Sequence, residues 1–285
     1  MHILMTGGTG FIGSHVLRVL LDRGHRLTLL IRPRPNRPMS TWPQGVRVIS
    51  ADIHDESSYK NIPKEPFDAL VHLAWSDLED YRSLTHMEKL LPADMQFLRT
   101  MAENKIPKIF VSGTCFEYGL QEGCMSEEML SAPLLPYSMA KDFLRKYLQE
   151  LQKNQYFHLQ WGRLFYVYGL GQSPKSLLPL LDQAIKRGES TFNMSGGEQL
   201  RDYLPVETMA EKIATVLESD HFNGIINICS GKPVSVLHLV EKHITKAKAS
   251  IQLNLGYYPY PNYEPMAYWG NNTTFATLAS QIPNL

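Results

Sequence analysis

The stretch HILMTGGTGFIG, residues 2–13, narrows the possible folds more than any other part of the chain. An apolar run leads into Gly7, Gly10 and Gly13 at G-x-x-G-x-x-G spacing. A helical pattern then opens at Phe11, sets Ile12, Val16, Val19 and Leu20 on one face and stops at Gly24. A glycine triplet alone marks no more than a tight turn. Between a strand and a helix it suits a backbone that must approach a pyrophosphate closely, with the phosphate charge at a helix N-terminus. Gly7, Gly10, Phe11, Ile12 and Gly13 are therefore the candidate dinucleotide cradle.

The pattern continues as a nucleotide-binding fold would require. Short apolar runs at His2–Met5, Leu27–Ile31, Val46–Ile49, Ala69–Leu73, Ile109–Ser112 and Leu159–Phe165 are mostly continuous rather than alternating, as in strands covered on both faces. Helical patterns at Phe11–Arg23, Leu84–Asn104 and Tyr137–Lys153 fall between them. The expected architecture is α/β, a Rossmann-type doubly wound parallel sheet with a smaller C-terminal substrate-binding cap. Residues 1–165 form the dinucleotide-binding part and 166–285 mainly the cap, with some segments returning to the core. In the cap, a helix runs to about Arg187 past Pro174 and Pro179, and STFNMSGGEQLRDYL reads as a hairpin turning at Gly196-Gly197. A helix at Glu207–Glu218, a strand in GIINICSG and a helix at Val236–Lys246 follow, and the Tyr- and Pro-rich tail from Tyr257 to Trp269 covers the cap.

Lys+Arg and Asp+Glu balance at 28 each, so no global basic field points to nucleic acid or to a membrane surface. No apolar run is long enough to span a bilayer, and the N-terminal run lacks the cationic flank of a signal peptide. Cys115, Cys124 and Cys229 make no disulfide framework, and no metal-ligand spacing is present. A cytoplasmic protein is expected.

Among 14 tyrosines only Tyr137 has a lysine, Lys141, four residues on, hence on the same helical face. A phenol with a reference pKa of about 10 is a poor acid or base near neutrality, and a fixed ammonium beside it favours the phenolate. HRLTLLIRPRPNRP, residues 25–38, sets Arg32 and Arg34 at the end of the second strand, with no carboxylate until Asp52.

These features, taken in order from residue 3 to about 231, resemble the extended short-chain dehydrogenase/reductases, the NAD(P)-dependent epimerase/dehydratase family that modifies nucleotide sugars. The resemblance makes Tyr137 and Lys141 the Tyr-x-x-x-Lys pair, with Lys141 also meeting the nicotinamide ribose. It makes Thr114, four residues before Tyr118 in FVSGTCFEYG, the catalytic hydroxyl, with Ser112 as the runner-up and a cofactor contact. SADIHD is similar to the acidic-aliphatic pair at the adenine, giving Asp52 and Ile53. VHLAW resembles the Leu-Ala-Ala turn under the cofactor, giving Leu73, Ala74 and Trp75, with tryptophan replacing a small residue. GRLFYVYG puts Tyr166 where asparagine is usual at the substrate. RDYLPVE resembles the segment whose arginine meets the substrate diphosphate, here Arg201. A homodimer bundled through the helices Leu84–Asn104 and Tyr137–Lys153 is implied.

The same resemblance sorts the reactions. Dehydratases carry Asp-Glu after the threonine, whereas Cys115 and Phe116 stand here. The cysteine of fucose-synthase-type enzymes is one residue out of register. NAD-binding members end the second strand with an acidic residue that holds the ribose diol. Two arginines there would instead receive the 2′-phosphate of NADP, each charge-assisted contact adding roughly 1.5–3 kcal/mol, about tenfold or more. The expected activity is NADPH-dependent reduction of a nucleotide-linked 4-keto-6-deoxyhexose, as in deoxysugar synthesis for surface polysaccharides. The rivals are a nucleotide-sugar 4-epimerase holding NAD, a reductase of flavanone-like or sterol-like carbonyls, which Arg201 and its motif oppose, and a non-catalytic NADP-sensing regulator, which the Tyr137–Lys141 pair opposes.

Overall fold

A computed structural model describes residues 1–32 and 42–282. Five parallel strands, β1 (His2–Thr6), β2 (Arg26–Ile31), β3 (Val46–Ser50), β4 (Ala69–His72) and β5 (Lys108–Thr114), join two later ones, His158–Leu164 and Gly224–Ile228. The sheet runs Gly224–Ile228, His158–Leu164, β5, β4, β1, β2, β3, all parallel. The order reverses beside β1, so the connections leaving the paired strands β1 and β4 run to opposite faces of the sheet and open a crevice at the strands' C-terminal ends, where open α/β sheets bind ligands.

Helices cover both faces. α1 (Phe11–Asp22) contributes Val16, Leu17 and Leu20 to one side, α2 (Leu91–Glu103) contributes Phe97, Leu98 and Met101 to the other, and α3 (Pro136–Leu151) adds Ala140, Leu144 and Leu148 beside α2. Of the later helices, α4 (Leu177–Lys186) and α6 (Val236–Ala247) pack with Phe192 and Met194 in a cluster of their own. By contrast, α5 (Val206–Glu218) and α7 (Thr273–Ser280) return to the sheet beside α1. The expected helix Leu84–Asn104 is entered through a π-helical turn at His86–Leu90. Pro92, just inside α2, has no N–H to give a regular i→i−4 bond.

The expected hairpin at Gly196-Gly197 does not form. Thr191–Asn193 pairs in parallel with Gln252–Asn254, while Leu200–Arg201 pairs with Val234–Ser235 and, in parallel, with Ala267–Gly270. Gly197 does adopt a positive φ of 83°, but both flanking strands find distant partners. Long-range pairing overrides the local turn signal.

Candidate active site

The glycine loop leaves the C-terminal end of β1 at the crevice. Gly7 has φ +74°, and a Cβ there would lie 2.5 Å from the Leu73 carbonyl carbon and 2.6 Å from the Ala74 nitrogen. Only glycine lets the loop sit on the Leu73–Ala74 turn. A Cβ on Gly13 would overlap the Gly7 carbonyl oxygen, whereas one on Gly10 would meet only that oxygen, at 3.2 Å. Gly13 is thus a packing glycine, and Gly10 faces open space. α1 begins at Phe11 and Ile12 with no side-chain cap and no acidic residue in its first turn. Its first N–H groups and positive dipole end are therefore available to an anion. These features fit the pyrophosphate of a nicotinamide dinucleotide.

Across the crevice, Leu73 N–H donates to the Thr6 carbonyl (3.3 Å) and Ala74 N–H to Thr6 Oγ1 (3.3 Å), which fixes the turn beneath the cradle. At the ends of β2 and β3, Arg32 Nε stands 3.8 Å from Asp52 Oδ2, with about half of the arginine side chain exposed. Asp52 also accepts the His54 N–H at 3.0 Å, and Ile53 is buried beside it. Arg32, Asp52 and Ile53 are brought together; Arg34 and Arg37 lie outside the described residues.

At the far end of the crevice α3 opens with Pro136, and Tyr137 and Lys141 occupy its first two turns. The Thr114 side chain, at the end of β5, lies beside the Tyr137 phenol. Burial raises the phenol well above its usual range, the Tyr81 phenol beside it adds to this, and the nearby Thr114 hydroxyl opposes it. Lys141 is 1 % exposed, and its Nζ donates to the Ser112 carbonyl at 2.8 Å. Burial pushes its ammonium down to about 8, against the raising effect of Asp94 and Glu117. Ser112 turns its hydroxyl to the His72 carbonyl instead, at 3.5 Å, so its backbone rather than its hydroxyl meets the pair. Trp75 lies over Lys141, with Nζ 3.9 Å from the ring centroid.

Aromatic rings continue toward the cap. Tyr81 stacks on Tyr137 with centroids 5.1 Å apart, Phe116 meets Tyr81 at 5.6 Å and Tyr166 at 6.1 Å. The Tyr166 hydroxyl is buried with no hydrogen-bond partner among the described residues. Arg201, buried beneath it with Cζ 5.5 Å from the ring, donates to Glu264 Oε2 at 2.9 Å and to the Leu200 carbonyl at 2.9 Å. Glu264 belongs to the Tyr-rich tail, whose Tyr268 is buried with its hydroxyl on the Cys115 carbonyl. Neighbouring Asp202 instead ties the tail to the core. Its carboxylate accepts the N–H groups of Ser230 (2.7 Å), Gly231 (2.8 Å) and Gly270 (3.3 Å).

Glu117 stands inside FVSGTCFEYG, but that segment gives it no role in the sequence. It is wholly buried. Its carboxylate accepts Thr114 N–H at 2.9 Å, Trp161 Nε1–H at 3.0 Å and Arg163 Nε–H at 2.8 Å, with Arg145 Nε at 3.6 Å. Burial disfavours the charge on Arg163 and Glu117 more than restores it. The local signal for Glu117 is the capping box T-C-F-E, in which Thr114 caps the short 3₁₀ turn Cys115–Tyr118 and Glu117 reaches back to the Thr114 N–H. The box holds the end of β5 in place.

The family model described as "NAD dependent epimerase/dehydratase family" matches residues 3–229. The dTDP-6-deoxy-L-talose 4-dehydrogenase (NAD(+)) of Aggregatibacter actinomycetemcomitans is 29% identical over 272 residues, covering 95% of this chain and 99% of that protein. UDP-arabinose 4-epimerase 1 of Arabidopsis thaliana is 26% identical over 293 residues, covering 90% of this chain and 70% of that protein. In fold, the chain is similar to MoeE5 in complex with UDP-glucose and NAD, with a TM-score of 0.83 at 24% identity, over 98% of this chain and 92% of that one.

Proposed function

The chain belongs to the NAD dependent epimerase/dehydratase family, and from that premise we propose that it reduces a nucleotide-linked 4-keto-6-deoxyhexose to the deoxysugar with NADPH. As a family member it is a nicotinamide-dependent enzyme that modifies nucleotide sugars; the reductive direction, the 2′-phosphate on the cofactor and the 6-deoxy substrate are the proposal. The observation that carries it is Arg32, which directly follows β2 with its side chain half exposed beside Asp52. A guanidinium there suits a phosphate, and a cytoplasmic reductase that consumes its cofactor draws on NADPH.

Gly7, Gly10, Phe11, Ile12 and Gly13 hold the pyrophosphate, Arg32 the ribose phosphate, Asp52 and Ile53 the adenine side, and Leu73, Ala74 and Trp75 the floor. Bound there, the nicotinamide supplies a hydride to the ketone carbon. Tyr137 donates the proton to the oxygen that becomes the hydroxyl, and burial suits it to this direction by keeping the phenol protonated until it is needed. Thr114, beside the Tyr137 phenol, supports the same oxygen. Lys141, anchored on the Ser112 carbonyl, orients the ribose and offers positive charge as the phenol ionises. Tyr166 and Arg201 face the substrate from the cap, with Arg201 meeting the diphosphate while Glu264 tempers its charge. The similarity to the A. actinomycetemcomitans 4-dehydrogenase supports oxidoreduction at carbon 4 of a 6-deoxyhexose, although that enzyme and MoeE5 are both named with NAD, which favours NAD over NADPH.

The second reading, a nucleotide-sugar 4-epimerase that keeps its NAD, uses the same Tyr137, Lys141 and Thr114, and the similarity to UDP-arabinose 4-epimerase 1 favours it. Fluorescence titration with NADPH and NADH separates the two. Binding of NADPH at least tenfold tighter, with the margin lost in Arg32→Ala, supports reduction; equal affinities or tightly retained NAD support epimerisation. The dimer is proposed on the exposed apolar residues Leu84 and Met87 before α2 and Met139 and Phe143 on α3. Light scattering on Phe143→Asp, expected to yield monomer, tests it.

A further inference from the structure

Trp75 stands where the family pattern has a small residue, and the Leu73–Ala74 turn does not require an indole. Its ring nevertheless occupies the centre of the candidate site. One face lies 3.9 Å from Lys141 Nζ, and the ring meets Tyr137 edge-on at 6.1 Å. The indole is itself fixed. Its Nε1–H donates to His86 Nδ1 at 3.1 Å, the two rings lie within 17° of parallel, and His86 Nε2 is 2.9 Å from the Asp80 carbonyl. Because Nδ1 must offer a lone pair to the indole, His86 is the neutral Nε2–H tautomer, which donates to Asp80. The histidine is fully buried, so the indole cannot swing without breaking a partly buried hydrogen bond.

We propose that Trp75 is a positioning residue for the Tyr137–Lys141 pair, its indole face holding the buried Lys141 ammonium in place and in its charged form. This rests on the reading that Lys141 serves the cofactor ribose. An ammonium has three N–H groups, and among the described residues Lys141 makes one hydrogen bond, to Ser112. A π face is the one other partner that favours the cation without taking a donor from the ribose. The charged and titratable groups around Lys141 are Tyr137 on its own helix, Asp94 on α2 with its partner His72 on β4 at 3.0 Å, and Glu117 after β5 with Arg163 and Arg145. The two carboxylates raise the lysine and burial lowers it more. Within that balance the indole works on the side of the carboxylates.

The test is NADPH binding, followed by fluorescence from about pH 6 to 10, in wild type, Trp75→Phe and Trp75→Leu. Leucine keeps the apolar bulk that excludes water and removes the π face; phenylalanine keeps both. The midpoint at which affinity falls should move to lower pH by about 0.4–1.5 units in Trp75→Leu and stay within a few tenths of a unit in Trp75→Phe. An unmoved midpoint in Trp75→Leu, with or without a lowered melting temperature, overturns the proposal. So does an equal shift in both variants. Lys141→Met should abolish the titration. If the titration persists there, it belongs to another group, and the assignment of Lys141 falls together with the proposal.

Discussion

Glu117→Leu should cost the protein about 3–5 kcal/mol of stability, the usual consequence of removing one partner from a buried ion pair. The leucine leaves Arg163, 1 % exposed, and Arg145 without their shared carboxylate, and leaves the N–H groups of Thr114 and Trp161 without an acceptor. For a chain of this size each kcal/mol moves the melting temperature by about 2–4 °C, so the transition should fall by roughly 6–20 °C. Glu117→Gln keeps an acceptor oxygen and loses the charge, so it should fall between the two. Thermal and urea unfolding of the purified variants, with the urea slope unchanged, provide the measurement. A Glu117→Leu protein within about 1 kcal/mol of wild type would contradict this, because three donors cannot lose a common acceptor in a dry site at so small a cost.

Three further outcomes follow from the same geometry. Gly13→Ala forces its new methyl into the Gly7 carbonyl; it should weaken NADPH binding by tenfold or more and destabilise the fold by about 1–3 kcal/mol, read by titration and melting. Tyr137→Phe removes the proton donor and leaves the cradle intact, so kcat should fall by about 10²–10⁴-fold while NADPH affinity changes little. NADPH affinity should decline as pH rises through about 8, where the buried Lys141 loses its proton. The stability linkage has the opposite sign. An unfolded lysine titrates near about 10.4, so between about 8 and that value the unfolded chain binds more protons, and Lys141 makes the folded state relatively more stable as pH rises.

The strand, glycine loop and first helix were legible because each is a local rule: a continuous apolar run, glycines at fixed spacing, one helical face. Tyr137 and Lys141 were visible as a pair one helical turn apart, but their proposed roles, and Thr114 altogether, came from the resemblance to the family pattern. The cap was harder. Leu200–Arg201 finds its partners at residues 234–235 and 267–270, and no window around Gly197 contains that information. Arg201 shows the same limit, because its buried partner Glu264 lies 63 residues away in a tail that composition marked only as aromatic. Glu117 was readable in part: its capping box is written in four consecutive residues, but its bonds to Trp161 and Arg163 exist only once two strands lie side by side. Trp75 was visible as a departure from the family pattern, whereas its contact with Lys141 needed the folded loop.

The most direct test of the account is the cofactor balance of a complete reaction. Purified protein is incubated with a nucleotide-linked 4-keto-6-deoxyhexose and NADPH, the absorbance of the reduced nicotinamide is followed, and the sugar product is counted by chromatography. Reduction predicts one NADPH consumed for each deoxysugar formed, at a rate about 10²–10⁴-fold lower in Tyr137→Phe. Interconversion of carbon-4 epimers of a nucleotide sugar with no net consumption of cofactor would contradict it.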